Sequence, residues 1–385
     1  MSVARRARPS PLLLLGSVLL GPACGSPPAA PPAASPAQRS TSECPLFGGR
    51  GVDELIAPTE THFVHLWMLT EDGENAEAYW NFAGDRLSFQ RRNEALGIAC
   101  DRIFVTQPGA PPRQISNGHG VTTCAYFLPD GGHVLFASTQ AAMDGCPPPI
   151  DPAEFQRLGY FWRVFPEHDI WVADLAGGGL TRLTDSPGYD AEATVSPLGD
   201  RLVFTSARSG DLELWTCGLD GSKPVQVTHT PGYDGGAFFS HDGRRLVFRS
   251  QAFTPGKESE EQAFHRELLA QGKVNPVRME LQICDADGTN RRAIHELGGA
   301  SFAPYFFPGD ARVIFSTNHH DPSERKREFD LFAVDVDGSR LEQITTAAGF
   351  DSFPMFSPDG RWLVFASNRG QKKAGDTNLF LAEWK

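Results

Sequence analysis

Apolar and polar positions along this chain fall into short alternating runs that recur in one arrangement. An apolar run meets a Pro/Asp/Gly turn and a second apolar run closes on phenylalanine. The arrangement appears as YWNFAGDRLSF from Tyr79, YFLPDGGHVLF from Tyr126, TVSPLGDRLVF from Thr194, FFSHDGRRLVF from Phe238, YFFPGDARVIF from Tyr305 and MFSPDGRWLVF from Met355. Two short apolar strands joined by such a turn form a β-hairpin, because the turn residues accept the backbone angles that reverse the chain. The closing residues Phe89, Phe136, Phe204, Phe248, Phe315 and Phe365 are 47, 68, 44, 67 and 50 residues apart. The shortest interval is that of a four-stranded propeller blade, and the two long ones predict insertions. A second hairpin on Asp-Gly follows, as in LELWTCGLDGSKPVQVT from Leu212, MELQICDADGTNRRAIHEL from Met279 and FDLFAVDVDGSRLEQIT from Phe329.

The ends of the chain predict how the ring closes. The last copy is followed by a single further strand, NLFLAEWK, whereas an orphan strand opens VHLWMLTEDGENAEA ahead of the first copy. That N-terminal strand is expected to complete the sixth blade, so that no blade edge is left unpaired. The expected fold is all-β: a six-bladed propeller over residues 59–385, with two loop insertions on one face.

The six-fold phrase and its Asp-Gly hairpin resemble the TolB-like β-propeller repeat, a WD-like repeat of bacterial envelope proteins, from Phe63 to Lys385. The α/β domain that precedes the TolB propeller has no counterpart here. The resemblance implies a non-catalytic binding role, with an outer-membrane, peptidoglycan-associated lipoprotein as the partner class. The same fold gates prolyl-oligopeptidase-type enzymes, but the chain has no GxSxG elbow.

Composition and the N-terminus place this propeller. Arg5, Arg6 and Arg8, the apolar run Pro11–Leu20 and the small residues before Cys24 follow the plan of an export signal over residues 1–23. The run is too short to span a membrane. Its end on Cys24 resembles a lipoprotein signal, with Cys24 as the lipidation site; an ordinary secretory signal is the alternative. Residues 24–58 are read as a Pro/Ala-rich tether and lead-in. The formal charge of −12 argues against nucleic acid as a partner, and membrane contact is expected only through the lipid anchor. The expected location is the periplasm, anchored to the outer membrane, and the expected state is a monomer.

Candidate chemistry gathers where the repeats are interrupted. One insertion runs from Thr139 to about His168 and carries Phe155, Tyr160, Phe161, Trp162 and Phe165; the other runs from Gln251 to about Arg278. In the second, Ser259 and Gln262 fit a capping box, and Gly272 fits a C-terminal cap, so a short helix is expected. The insertions are read either as a structural lid or as a partner surface. At the same face, Asn75, Thr122, Asp190, Asp234, Ser301 and Asp351 align at the start of each inner strand, followed two residues on by Glu77, Cys124, Glu192, Gly236, Ala303 and Phe353. Asp190, Asp234, Asp351, Glu77 and Glu192 would form an acidic mouth suited to a cation, an amine or a basic peptide; the competing reading gives the aspartates to turn chemistry. His319 and His320 could join them around a divalent metal, which makes a metal-dependent lyase or hydrolase the enzymatic alternative. DADG at Asp285 and DVDG at Asp335 fit hairpin turns better than calcium loops. A sensory lipoprotein binding carbohydrate or peptide is the third reading. Of the seven cysteines, Cys100, Cys124 and Cys146 share one face; a disulfide is expected within this trio, with Cys124 to Cys146 preferred and a zinc site as the alternative.

Overall fold

The computed structural model describes residues 43–323 and 325–385. The export signal, Cys24 and the tether up to residue 42 lie outside the described residues. The rest forms six antiparallel sheets around an axis. The innermost strands are Glu74–Trp80, Thr122–Phe127, Asp190–Val195, Asp234–Phe239, Ser301–Phe306 and Asp351–Phe356, in blades one to six. Each packs on the next, and that of blade six packs on that of blade one. The fold is a six-bladed β-propeller.

In blade six the order outward is Asp351–Phe356, Trp362–Ser367, Asn378–Trp384 and then Phe63–Met68 from the N-terminal end. Phe63–Met68 runs antiparallel to Asn378–Trp384, with Leu66 opposite Ala382 and Met68 opposite Phe380. Arg50–Gly51 adds a fifth, outer strand to this blade. The body therefore begins earlier than residue 59: Cys44 and Val52 are in the core, and buried Glu60 holds Arg369 through both oxygens at 3.0 Å.

The closing phenylalanines of the repeat are all fully buried, each contributing on the order of 2 kcal/mol by leaving water. Three of them carry a guanidinium on the ring that is paired with an inner-strand aspartate. Arg208 stacks on Phe204 and bonds Asp190 at 2.8 Å. Arg291 stacks on Phe248 and bonds Asp234 at 2.6 Å. Arg369 stacks on Phe365 and bonds Asp351 at 2.6 Å. The Asp-Gly turns close through carboxylate-to-backbone bonds: Asp220, Asp287 and Asp337 each accept the amide two residues on.

Every innermost strand also carries one β-bulge, seen as a register break after its second or third residue. The bulged residues are Glu77, Cys124, Glu192, Gly236, Ala303 and Phe353, all in the left-handed region at φ 50 to 59°. Five of the six are not glycine, and each of these bears about 1–2 kcal/mol of backbone strain.

Candidate functional site: a roofed cavity on the propeller axis

Above the bulge ring lies a cavity of about 1010 Å³, and all six bulged residues line it. Its floor is closed by the first residues of the repeat. Tyr79 of blade one touches Phe238 of blade four across the axis, with centroids 5.5 Å apart. Tyr126 and Tyr305 meet the same ring at 6.1 and 5.4 Å. The axis is thus plugged by aromatic side chains, and the space above is blind at this end.

The two insertions roof it together. Trp162–Arg163 from the first pairs antiparallel with Lys273–Val274 from the second. Lys273 bonds Glu154 at 2.9 Å, and Asn275 donates to the Tyr160 carbonyl at 2.7 Å. The first insertion contains a helix the sequence reading missed, α1 (Pro152–Leu158). Its signal was present in Asp151-Pro152: Asp151 caps the Ala153 amide at 2.9 Å, and proline occupies the first turn. The second contains α2 (Glu258–Ala270), followed by Gly272 at φ 67°. The expected capping box is not formed: Ser259 is already inside the helix, and Glu261 instead accepts the Thr254 amide at 2.7 Å. Buried His265 fastens α2 to Asp211 of blade three at 2.6 Å. Val164 and Val274 share a small core with Tyr189, Tyr233 and Met279, so the roof is packed onto the blades.

The disulfide differs from the expected one. Cys100 bonds Cys146, with Cα atoms 5.7 Å apart, and Cys124 is free. The bulge explains the difference: the left-handed backbone at Cys124 sends its thiol into the cavity, beside the Thr123 hydroxyl at 3.2 Å. The bond that does form ties the first insertion to blade one. With Cys100 and Cys146 joined, the trio does not present three free thiols.

The cavity holds one closely bonded charge pair and one wall whose carboxylates are less well supplied. Glu192 accepts from Arg249, from the Tyr233 hydroxyl, from the Thr205 hydroxyl at 2.7 Å and from the Gly236 amide at 2.8 Å. Burial pushes the Glu192 carboxyl up, but Arg249 and these hydrogen bonds outweigh it and hold it below the ordinary glutamate value. Arg249 lies between the rings of Trp162 and Tyr233, at 5.4 and 4.8 Å. Glu77 is different. Burial pushes its carboxyl up to about 7, with repulsion from Glu192 and Asp101 only partly offset by the Cys124 thiol and Arg249, and its Oε2 has no protein partner. Burial likewise raises Asp101 to about 6. His168, 5% exposed, has neither ring nitrogen hydrogen-bonded, and burial lowers it to about 4.

Of the residues singled out in the sequence, Glu77 and Glu192 line the cavity; Asp190, Asp234 and Asp351 stand back from it, each committed to its arginine. His319 and His320 also lie outside the lining, packed on Phe332, with His320 2.9 Å from Asp330. Burial lowers both imidazoles. Among the described residues no three His, Cys, Asp or Glu side chains converge as a metal-ligand set. Asp101, His168 and Arg249 were not singled out; they sit on ordinary strand and loop positions, and only the three-dimensional pairing brings them inward.

Comparison with solved structures follows this geometry. TolB from Acinetobacter baumannii superposes with a TM-score of 0.51 at 16% identity, covering 72% of this chain and 55% of that one. The fold is the TolB-like six-bladed β-propeller. A TolB-type protein from Agrobacterium tumefaciens gives 0.49 at 16% identity, covering 81% and 91%, and an oligogalacturonate lyase in complex with manganese gives 0.49 at 12%, covering 88% and 97%. The TolB-like propeller here thus spans about half the length of the Acinetobacter TolB. No protein-family model and no curated protein matches the chain. Among the described residues no helix is long and apolar enough to cross a membrane.

Proposed function

We propose that this TolB-like propeller is an exported binding protein of the cell envelope. Its roofed face captures a partner, and its cavity receives a chain end or small ligand presented there. The observation carrying this reading is the cavity itself: a blind space of about 1010 Å³ walled by Tyr79, Tyr189, Tyr233, Phe302, Phe329 and Phe353, under a roof built by both insertions. Mostly apolar pockets of this size with a few placed polar groups are what ligand sites look like. The rim supports an interaction surface, since Tyr160, Phe155, Phe264 and Val277 are all exposed on the insertions. Periplasmic placement, the lipid on Cys24 and a peptidoglycan-associated lipoprotein as partner belong to this proposal and come from the sequence. The test places photo-crosslinking residues at Tyr160 and Val277, and as controls at Val225 and Leu341 on outer strand edges, in the intact envelope. One partner captured from the roof positions alone supports the reading; capture from the controls alone overturns it.

The alternative, a metal-dependent lyase or hydrolase, is favoured by one observation: Glu77 and Asp101 are perturbed carboxylates in a cavity, the setting of acid–base catalysis. Stoichiometric zinc, manganese or calcium surviving gentle purification, together with lost stability in chelator, would favour it over binding. The third reading, a carbohydrate or peptide sensor, differs from the first only in the occupant of the cavity.

A further inference from the structure

The cavity's polar groups are not evenly supplied with partners. Glu192 is saturated by four donors, whereas Arg249 bonds Glu192 and lies on two rings with its Nε left unpartnered. The Gln90 oxygen takes the Thr123 hydroxyl at 2.9 Å, and Lys326 reaches the carbonyls of His319 and Asp321. The carboxylates without such a set of donors are on one side. Blade one puts Glu77 and Asp101 on the wall; Glu77 Oε2 has no protein partner, and Asp101 feels the charges of Arg92 and Arg102. His168 adds a second, independent sign: a side chain 5% exposed, lining the same cavity, with both ring nitrogens unpartnered. Buried polar groups left so are costly, on the order of 1–3 kcal/mol each, unless a ligand supplies the missing bonds. The facing side, from blades five and six, combines an apolar set, Phe302, Ala303, Phe329, Phe350 and Phe353, with Arg325, Lys326 and Arg327 of the blade five loop.

We infer that the cavity is a subsite for a protonated amine on an apolar, aromatic-sized body, with the ammonium against Glu77 and Asp101, the body against the blade five and six phenylalanines, and a polar group of the body within reach of His168. This rests on the binding reading above and names the chemistry of its occupant. An ammonium offers three donors, one of them to the open Glu77 Oε2, and Tyr79 places a ring beside it. Against Glu77 and Asp101 an anion would be repelled; Arg325, Lys326 and Arg327 line the cavity on the blade five side instead. Protons couple to the occupant: the groups facing Glu77 are Cys124, Asp101, Glu192, Arg249 and Tyr79. A bound cation favours ionised Glu77, so binding releases a proton and strengthens as pH rises from 6 to 8.

Isothermal titration calorimetry on the purified full-length mature protein tests this with tyramine, its uncharged counterpart 4-ethylphenol, and phenylalanine amide with and without an N-acetyl group. Tyramine is expected to bind about tenfold or more tighter than 4-ethylphenol, the value of one charged hydrogen bond, with the preference widening toward pH 8. The preference is expected to vanish in Glu77→Gln with Asp101→Asn, a double variant that must keep the wild-type circular dichroism. If that variant misfolds, the pH dependence of the tyramine preference in the wild type decides alone. Phenylalanine amide binding tighter than tyramine, and lost on acetylation, assigns the amine to a polypeptide chain end; the reverse order assigns it to a small molecule. Equal affinity for tyramine and 4-ethylphenol overturns the cation subsite and leaves the cavity reading standing. No binding of any probe overturns both.

Discussion

Replacing Glu192 by glutamine should destabilise the protein by about 3 kcal/mol at pH 7. The carboxylate side chain is 10% exposed and its partner Arg249 is 9% exposed, so neither charge is screened as a surface pair would be. The amide keeps the shape, but it removes the charge and turns one acceptor into a donor facing either the guanidinium and the Tyr233 hydroxyl or the Thr205 hydroxyl and the Gly236 amide. Breaking one side of a buried pair costs about 3–5 kcal/mol. Arg249 retains its contacts with the Trp162 and Tyr233 rings, which return about 1–2 kcal/mol where solvent is excluded. Urea unfolding followed by tryptophan fluorescence, with slopes compared, measures the difference. A glutamate held below its ordinary value stabilises the fold fully above the unfolded pKa of about 4.3, and that contribution is lost as pH falls through the lower folded value. The gap between wild type and Glu192→Gln should therefore be constant from pH 8 to 5 and close in stronger acid. Adding Arg249→Met should recover stability, since an unpaired buried cation is worse than none. A loss under about 1 kcal/mol, or a double variant no better than the single, would refute the reasoning that this pair is an electrostatic unit.

Three further outcomes are expected. Gly236→Ala should destabilise by about 2 kcal/mol or more, because a Cβ there would sit 2.0 Å from Arg249 Nη1 on a backbone at φ 59°, whereas Ala303→Gly at the equivalent bulge should be nearly neutral; urea midpoints check both. Peptide mapping under non-reducing conditions should find Cys100 joined to Cys146, and Cys146→Ser should cost about 4 kcal/mol by the chain-entropy model for a loop of 46 residues while Cys124→Ser costs far less. Glu77→Gln should be more stable than wild type at pH 8 but not at pH 4.5: a carboxyl raised to about 7 favours the folded state while neutral and loses that contribution as pH climbs from its unfolded value through about 7. Parallel unfolding curves at the two pH values would remove the argument for a strained, unpaired Glu77.

The blades were legible because each depends on local pattern: a hairpin's turn residues and its alternating strands lie within about twenty residues of one another. The same alignment placed the six bulge residues in one register, although it could not say that the strand breaks there, because Glu, Cys, Ala and Phe are not left-handed signals. Asp190, Asp234 and Asp351 illustrate the opposite limit. They stand at the mouth in the alignment, yet their arginines do not come from one place: Arg208 and Arg369 lie 18 residues on, in the loop between the second and third strands of their blades, whereas Arg291 lies 57 residues on, in the outermost hairpin, so one spacing covers only two of the three. The roof was equally hidden. Two-residue strands Trp162–Arg163 and Lys273–Val274 are too short to carry a period, and they pair across more than a hundred positions of chain.

The bulge ring explains why one repeat can carry a site without losing its fold. A bulge residue makes no ladder pair, so its side chain is released from the demand that the flanking blade core makes of Phe89 or Phe204 and their counterparts. The backbone angle is fixed by the strand pairs on either side, and the residue type is then set by what it meets above the floor. Gly236 is glycine because the Arg249 guanidinium fills the space its side chain would take. Phe353 meets Phe302 and Phe350 and extends the apolar wall. Glu192 meets the arginine and is neutralised; Glu77 meets none and is left with an open oxygen. Strain of about 1–2 kcal/mol at each non-glycine bulge is sustained by six blades that each bury a phenylalanine on the same hairpin, so the side chains at these positions can differ from blade to blade without loss of the fold.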